Sequence, residues 1–202
     1  MIIDSHVNLH APQFDEDRDA VIVRAREAGV GLMVEISDRL STFEATHGLA
    51  MAHGDIWCTV GAHPHEAKDH ADLTAGRLIE LAARPRVVGI GECGLDFHYD
   101  LSPRDVQAAV FRTHIQAARR TGLPLVVHTR EADDVMAGIL AEEQAEGPFR
   151  FLMHCYTSGP ELAEKAAEMG AWFSVSGIAT FKAAHEVRAI VAAMPADRII
   201  VE

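Results

Sequence analysis

The stretch RVVGIGECGLDFHYDLSPRDVQAAVFRTHIQAARRTGLPLVVHTR, residues 86–130, contains the unit on which the fold prediction depends. A short apolar run, Arg86–Ile90, is followed by a long amphipathic run, Pro103–Thr121, and then by a second apolar run, Pro124–Val127. Gly122 comes directly after the long run, where a helix usually ends. Two strands joined by a helix of this length predict a parallel βαβ unit with a right-handed crossover.

The helix of this unit has recognisable start signals and one apolar face. Ser102 is predicted as its N-cap, Pro103 as its first residue, and Asp105 places a carboxylate in the first turn. Residues at helical spacing are predicted to face the core: Val106, Val110, Thr113 and Ala117.

The same alternation covers the whole chain. The predicted strands are Met1–Asp4, Gly31–Ile36, Ile56–Gly61, Arg86–Ile90, Pro124–Val127, Arg150–Met153, Ala171–Val175 and Arg198–Val201. The predicted helices are Asp15–Ala28, Thr42–His53, Asp72–Arg84, Pro103–Thr121, Ala132–Glu146, Pro160–Met169 and Ala183–Met194. This pattern favours an α/β fold, a single-domain (β/α)8 TIM barrel over residues 1–202. The eighth helix of a complete barrel is missing, so we expect a chain truncated at its C-terminus.

The composition limits the function further. The chain is acidic, with 30 Asp and Glu against 18 Lys and Arg, which excludes a protein that coats nucleic acid without regard to sequence. No apolar run reaches the roughly 18 residues of a membrane span, and the start MIIDSH lacks a secretory signal, so we expect a cytoplasmic protein without a membrane partner. The 3 cysteines form no disulfide framework, whereas 12 histidines indicate metal or acid–base chemistry.

Metal-ligand residue types follow several predicted strands, at the end of the barrel where active sites are built. His6 and Asn8 are two apart on an extended chain and therefore point the same way. Glu92 has two oxygens that could bridge two ions, and His128 and His154 follow neighbouring strands. This mixed set predicts a site for one or two divalent ions such as Zn²⁺, Mn²⁺ or Co²⁺.

Other residues near these strand ends have more than one interpretation. Cys93 and Cys155 could be ligands or nucleophiles, or small buried apolar side chains. Asp96 could be catalytic or could cap its loop. Arg130 and Lys182 could hold a substrate phosphate, and Lys182 could equally be a solvated surface residue. The remaining histidines predicted to lie on the surface are His53, His70, His98, His114 and His185.

Six motifs in order, DSHVNLH, VGAHPH, GIGECGLDFHYD, LPLVVHTREA, MHCYTSG and VSGIATFKA, resemble the TatD family of metal-dependent hydrolases over essentially the whole chain. The resemblance implies a TIM barrel of the amidohydrolase type, a site with one or two metal ions, and hydrolysis of DNA phosphodiester bonds. It implies that the metal ligands are His6, Asn8, Glu92, His128 and His154, with Glu92 bridging. It also implies that His63, Arg130 and Lys182 lie near the substrate phosphate.

Two departures from the family pattern affect these expectations. The first motif of the family usually reads DxHxH, and Asn8 replaces its second histidine, which favours Mg²⁺ or Mn²⁺ over Zn²⁺. The family also has an Asp in an ETD motif directly after strand eight, and the sequence stops at Glu202, just before that position. We therefore expect this chain to be an impaired catalyst.

The functional hypothesis is a deoxyribonuclease, acting as a 3′–5′ exonuclease on DNA ends or single-stranded DNA, with Glu92 and His63 as catalytic residues. We expect a monomer. The same barrel and ligands would also serve a hydrolase of amides, lactones or small phosphate esters, since function resides in the loops. A non-catalytic member of the family is a further alternative.

Overall fold

The computed structural model describes residues 1–202, which form a parallel sheet of eight strands in sequential order. The strands are β1 (Ile2–Val7), β2 (Val30–Glu35), β3 (Ile56–Val60), β4 (Val87–Asp96), β5 (Leu125–Arg130), β6 (Phe151–Met153), β7 (Trp172–Val175) and β8 (Ile199–Val201). The Ser5 hydroxyl donates to the Val201 carbonyl at 2.9 Å, which brings the first and last strands together. The sheet is thus a nearly closed barrel, and the predicted (β/α)8 fold is confirmed.

One α-helix lies between each pair of successive strands, as parallel connections require. The helices are α1 (Arg18–Glu27), α2 (Phe43–Ala52), α3 (Ala75–Ala82), α4 (Arg104–Thr121), α5 (Asp133–Glu146), α6 (Pro160–Glu168) and α7 (His185–Ala193). All seven predicted helices are present, with ends displaced by a few residues. None of the seven α-helices combines the length and the apolar composition of a membrane span.

Three strands extend further than predicted, and the extension includes the candidate ligands. β1 reaches Val7, β4 reaches Asp96 and β5 reaches Arg130. The reason is strand pairing, because Gly94 pairs with His128, and Asp96 pairs with Arg130. Polar residues that the sequence places in loops are therefore held by rigid strands.

Glycines permit this close pairing beside Glu92. Gly91 and Gly94 have φ angles of +123° and +136°, which L side chains rarely adopt. A Cβ at Gly91 would lie 2.6 Å from the Val126 carbonyl oxygen, and one at Gly94 would collide with the His128 carbonyl. The GIGECG sequence thus fits β4 tightly against β5.

The buried face of α4 differs from the predicted one. The structure buries Gln107, Val110, Phe111, His114, Ile115, Ala117 and Ala118, whereas Val106 and Thr113 are only half-buried. The prediction that His114 lies on the surface is wrong, since His114 is fully buried. Its Nε2 accepts a hydrogen bond from the Ala62 amide at 3.0 Å, and its Nδ1 donates to the Val110 carbonyl at 2.7 Å. Because both ring nitrogens are hydrogen-bonded, His114 can lie on the core face of α4. The spacing of apolar residues does not predict this.

The start of α4 also differs from the prediction. The N-cap position is Pro103 rather than Ser102. The Ser102 hydroxyl donates to the His65 carbonyl at 2.8 Å and accepts from the Lys68 amide at 3.1 Å, so it joins the segment before α4 to the one after β3. The sequence signal for a cap therefore marks a contact between loops.

Candidate metal centre

Four imidazoles surround one buried carboxylate at the carboxyl end of the barrel. Glu92 Oε1 lies 2.8 Å from His154 Nε2, 3.1 Å from His128 Nδ1 and 3.3 Å from His63 Nε2. Glu92 Oε2 lies 3.3 Å from His6 Nε2. Glu92 is only 5% exposed, so the cluster forms the floor of the site.

The strands position each of these side chains. His6 and Glu92 belong to β1 and β4, His128 belongs to β5, and His154 directly follows β6. The rings of His6 and His154 stack at 4.2 Å, and those of His63 and His128 meet edge to face at 4.5 Å. The predicted residues His6, Glu92, His128 and His154 are thus brought together, and His63 joins them.

The donor set fits a divalent ion. Two groups of ligand atoms lie within 4.8 Å of one another, His6–Glu92–His154 and His63–Glu92–His128. Three of the four imidazoles crowd one oxygen of Glu92, which has only two lone pairs, and a single carboxylate charge does not balance four imidazoles. Nδ1 of His6 is buried without a hydrogen-bond partner, and Nδ1 of His154 has only a long ion-pair contact of 3.5 Å with Glu202, so hydrogen bonds within the chain do not complete the cluster. Imidazole and carboxylate together suit transition-metal ions and zinc.

The buried charges shift the pKa values in the cluster. Burial opposes the charged form of Glu92, but the neighbouring histidines outweigh it and hold the pKa of that carboxyl well below its usual range. Burial also lowers the pKa of His154, yet the charges of Glu92 and Glu202 raise the pKa to about 10. The pKa of His128 is raised in the same way, by its hydrogen bonds to Asp96 and Glu92. Without a metal ion, the cluster therefore retains protons that an ion would displace.

His63 differs from the other three histidines in its tautomer. Its Nδ1 accepts a hydrogen bond from the His65 amide at 3.2 Å, so this nitrogen carries no proton. Burial lowers the pKa of His63, which keeps the ring neutral with its one proton on Nε2. That N–H points at Glu92, 3.3 Å away. In this tautomer His63 presents a donor to the centre and has no free lone pair for a metal ion.

Asn8 lies directly after β1, two residues beyond His6. Its side-chain nitrogen makes a long hydrogen bond of 3.5 Å to the Ile36 carbonyl, and its amide oxygen accepts no hydrogen bond from the chain. That oxygen remains free to act as a ligand.

Of the three residues predicted to lie near the substrate phosphate, His63 belongs to the cluster, whereas the side chains of Arg130 and Lys182 form no hydrogen bond or salt bridge with it. Arg130 ends β5, is exposed, and places its guanidinium 4.9 Å from the centre of the Tyr99 ring. Lys182 is exposed in the segment before α7. Neither side chain forms a salt bridge within the protein, so both positive charges are available to an anion.

Asp96 caps its loop, as one of its two interpretations predicted, and its second carboxylate oxygen contacts two histidines. Its Oδ1 accepts from the amides of His98 and Tyr99 at 3.1 and 2.8 Å, which caps the loop. Its Oδ2 lies 2.9 Å from His128 Nε2 and 3.0 Å from His65 Nε2. A candidate ligand is thereby oriented from behind. The period of the strand offers a signal for this, since residues 92, 94 and 96 share one face.

The cysteines near the centre are neutral. Cys93 is fully buried, and burial raises the pKa of its thiol well above the usual value. Burial likewise raises the pKa of Cys155 to about 11. Neither belongs to a group of ligand atoms, which favours the apolar interpretation of both thiols.

A second histidine–carboxylate cluster was missed by the sequence reasoning. His10 Nδ1 lies 2.5 Å from Glu35 Oε1, and His10 Nε2 lies 3.3 Å from Asp38 Oδ1. Glu35 is fully buried and also accepts from the amides of Leu9 and His10 at 2.8 and 2.9 Å. Glu35 ends β2 just as candidate ligands end other strands, and that position was the available signal.

A parallel barrel with histidines and a glutamate gathered at the carboxyl ends of its strands is typical of metal-dependent hydrolases with an amidohydrolase-like barrel. The chain matches the family described as "TatD related DNase" over residues 3–202. It is 36% identical to the uncharacterized metal-dependent hydrolase YabD of Bacillus subtilis, in an alignment that covers 100% of this chain and 79% of that protein. It is 38% identical to the 3′-5′ ssDNA/RNA exonuclease TatD of Erwinia tasmaniensis, in an alignment that covers 100% of this chain and 78% of that protein.

Among solved structures, the TatD homologue YjjV of Escherichia coli superimposes with a TM-score of 0.88 at 26% identity, over 98% of this chain and 76% of that one. The chain therefore belongs to the TatD family of metal-dependent hydrolases. The resemblance found in the six sequence motifs is confirmed.

Proposed function

We propose that this protein is a metal-dependent phosphodiesterase that removes nucleotides from the 3′ end of single-stranded nucleic acid. The observation that carries the proposal is the convergence of His6, His128 and His154 on the buried carboxylate of Glu92. Support for the substrate class comes from the names of relatives such as the Erwinia tasmaniensis exonuclease.

The ions would be held by His6, Asn8, Glu92, His128 and His154, since Glu92 contacts His6 through one oxygen and His128 and His154 through the other. A bound divalent ion would supply Lewis acidity and make water acidic enough to attack a phosphodiester near neutral pH. The hydrogen bond that His128 Nε2 donates to Asp96 and the ion-pair contact of Glu202 with His154, at 3.5 Å, would keep the ligand nitrogens directed inward.

His63 would act as a hydrogen-bond donor in the reaction. Its Nε2–H faces the centre, and the hydrogen bond from the His65 amide to Nδ1 fixes that tautomer. A neutral N–H donor can stabilise the negative charge that develops on a phosphoryl oxygen during attack. Arg130 and Lys182, whose charges are unpaired, would attract the neighbouring phosphates.

The net charge of −12 fits a substrate that reaches the centre by its end. An acidic surface repels the continuous phosphate backbone of a long duplex, whereas a single strand contributes only its last phosphates to the site. We therefore expect a strong preference for single-stranded ends over internal duplex positions.

The test is hydrolysis by the purified protein of 5′-labelled single-stranded DNA and RNA, the matching duplexes, a lactone, an amide and a small phosphate ester, with added Mg²⁺, Mn²⁺, Co²⁺ or Zn²⁺. The expected result is a ladder of products shortened from the 3′ end, lost in EDTA and in Glu92→Gln. Turnover of the lactone or amide with intact oligonucleotides would contradict the proposal. Oligonucleotide cleavage that persists in both EDTA and Glu92→Gln would contradict the site.

A further inference from the structure

A pair of aromatic side chains stands beside the centre, each covered by a guanidinium. Arg130 lies over the Tyr99 ring at 4.9 Å, and Arg104 lies over the Phe97 ring at 4.3 Å. Tyr99 is 54% exposed, so the covering guanidinium leaves part of the ring surface open. An open ring with an adjoining positive charge offers stacking and attraction to a phosphate in the same place.

The loop that carries Tyr99 is fixed to the centre. Asp96 accepts hydrogen bonds from the Tyr99 and His98 amides, and the same carboxylate binds His128. The Tyr99 ring meets the rings of His65 and His98 edge to face, at 5.4 and 4.8 Å. The exposed ring is therefore held in one orientation, which lowers the entropy lost when a ligand stacks on it.

The charges around this ring include one unpaired cation that can bind a phosphate. Arg130 has no carboxylate partner, whereas Arg104 is neutralised by Asp100 at 3.0 Å. Arg130 also lines a groove of about 1210 Å³, together with Arg104 and four acidic residues: Glu131, Asp133, Asp134 and Glu186. The acidic lining repels phosphates, so the unpaired guanidinium of Arg130 is the group beside Tyr99 that attracts them.

We propose that Tyr99 and Arg130 form a nucleotide subsite, in which a base of the bound strand stacks on Tyr99 and its phosphate pairs with the Arg130 guanidinium. The inference rests on the proposed nuclease function and specifies where the strand lies. Contacts between rings, Tyr99 to His65 at 5.4 Å and His65 to His128 at 6.2 Å, connect the subsite to the centre. The stacked base thus belongs to a nucleotide close to the scissile phosphate.

The test pairs a protein variant with a missing base. A series of single-stranded oligonucleotides is prepared, each with one abasic residue at a different position near the 3′ end. The kcat/KM of cleavage of each is measured for the parent, for Tyr99→Leu and for Tyr99→Phe. One abasic position is expected to lower kcat/KM of the parent about tenfold, the usual effect of losing one base–aromatic stack. Tyr99→Leu should show the same loss with the intact strand and no additional loss with that abasic strand, while Tyr99→Phe should behave like the parent.

A matched control lies at the opposite end of the barrel. Arg86 covers the exposed ring of Trp57 at 5.1 Å, near the start of β3. Trp57→Leu should leave every abasic profile unchanged. An abasic effect that persists at full size in Tyr99→Leu would overturn the subsite.

Failure of the proposed function would look different, because no strand would be cleaved by any protein. The subsite is then tested by fluorescence anisotropy of the labelled oligonucleotide in EDTA. About tenfold weaker binding by Tyr99→Leu, with parental binding by Trp57→Leu, would support it, and equal binding by all three proteins would refute it.

Discussion

Two sets of buried histidines in this barrel have opposite hydrogen-bonding states. At the centre, three imidazoles crowd one oxygen of Glu92, and Nδ1 of His6 has no partner at all. The second set, called the framework set here, consists of His10 and His114. Both ring nitrogens of His10 lie near carboxylates, and both ring nitrogens of His114 bond to the backbone. The framework set is complete without a ligand and the central set is not.

The difference teaches how a metal site can be distinguished from a structural histidine cluster when both contain buried carboxylates. Three nitrogens that crowd one carboxylate oxygen are not all satisfied by its two lone pairs, so the crowding indicates a group that the chain is built to bind. Histidines whose nitrogens are all satisfied gain nothing from an added ion. Changes at the centre should therefore affect metal binding and activity, whereas changes in the framework set should affect stability.

The largest effect is expected at the centre, for Glu92→Gln. Loss of the carboxylate charge should lower activity on the order of a thousandfold or more, because the ligand groups share this residue. Metal content, measured by plasma mass spectrometry, should fall with it. Far-ultraviolet circular dichroism should remain that of the parent, since removal of this charge leaves the barrel core intact. Parental metal content in Glu92→Gln would contradict the shared-ligand role.

The matched change in the framework set is Glu35→Gln. It removes a buried charge that faces His10 and weakens bonds from two backbone amides, so the free energy of unfolding should fall by about 3 kcal/mol. Denaturant titration in EDTA measures this loss, and metal content per folded molecule should stay parental. If Glu35→Gln instead releases metal without loss of stability, the two sets do not divide as proposed.

The fold could be predicted from sequence because the alternation of strands and helices is a local pattern repeated along the chain. Strand ends were harder, since the extension of β4 to Asp96 depends on pairing with β5. The burial of His114 was missed for a similar reason. Its hydrogen-bond partner, the Ala62 amide, is distant in sequence. The helical spacing of apolar residues does not predict that a histidine is buried by a hydrogen bond to the backbone of a different segment.

At the site, residue type and position at strand ends predicted which histidines meet Glu92. The sequence could not predict the tautomer of His63, which depends on an amide two residues away, or the second contact of Asp96 with His65. Glu35 was overlooked although it also ends a strand, because nothing in a single sequence shows that His10 folds back onto it. The features that could not be predicted are therefore contacts whose geometry depends on how the chain folds around the site.

The framework histidine His114 should make the protein sensitive to acid. Burial lowers its pKa to about 4, so the folded state favours the neutral ring, and the stability it contributes is present above the unfolded pKa of about 6.5. That stability is lost as the pH falls from about 6.5 towards 4. Between pH 7 and pH 5 the parent should lose about 2 kcal/mol more than His114→Gln, measured by denaturant unfolding in EDTA. Equal losses would show that His114 does not titrate in this range.

The smallest effect is expected for Asp96→Asn, because Asp96 both caps its loop and contacts a candidate ligand. The amide can still accept from the Tyr99 backbone, so the fold should persist, but the charge that orients His128 Nε2 is lost. Metal affinity should fall about tenfold, as for other partners of ligating histidines. Titration with Co²⁺, followed by its visible absorption, measures this directly and reports any change in coordination. His65→Gln is the control, since it removes the other partner of Asp96 and should leave the Co²⁺ spectrum parental. A spectrum altered by His65→Gln but not by Asp96→Asn would reverse the assignment, because the orienting contact would then come from His65.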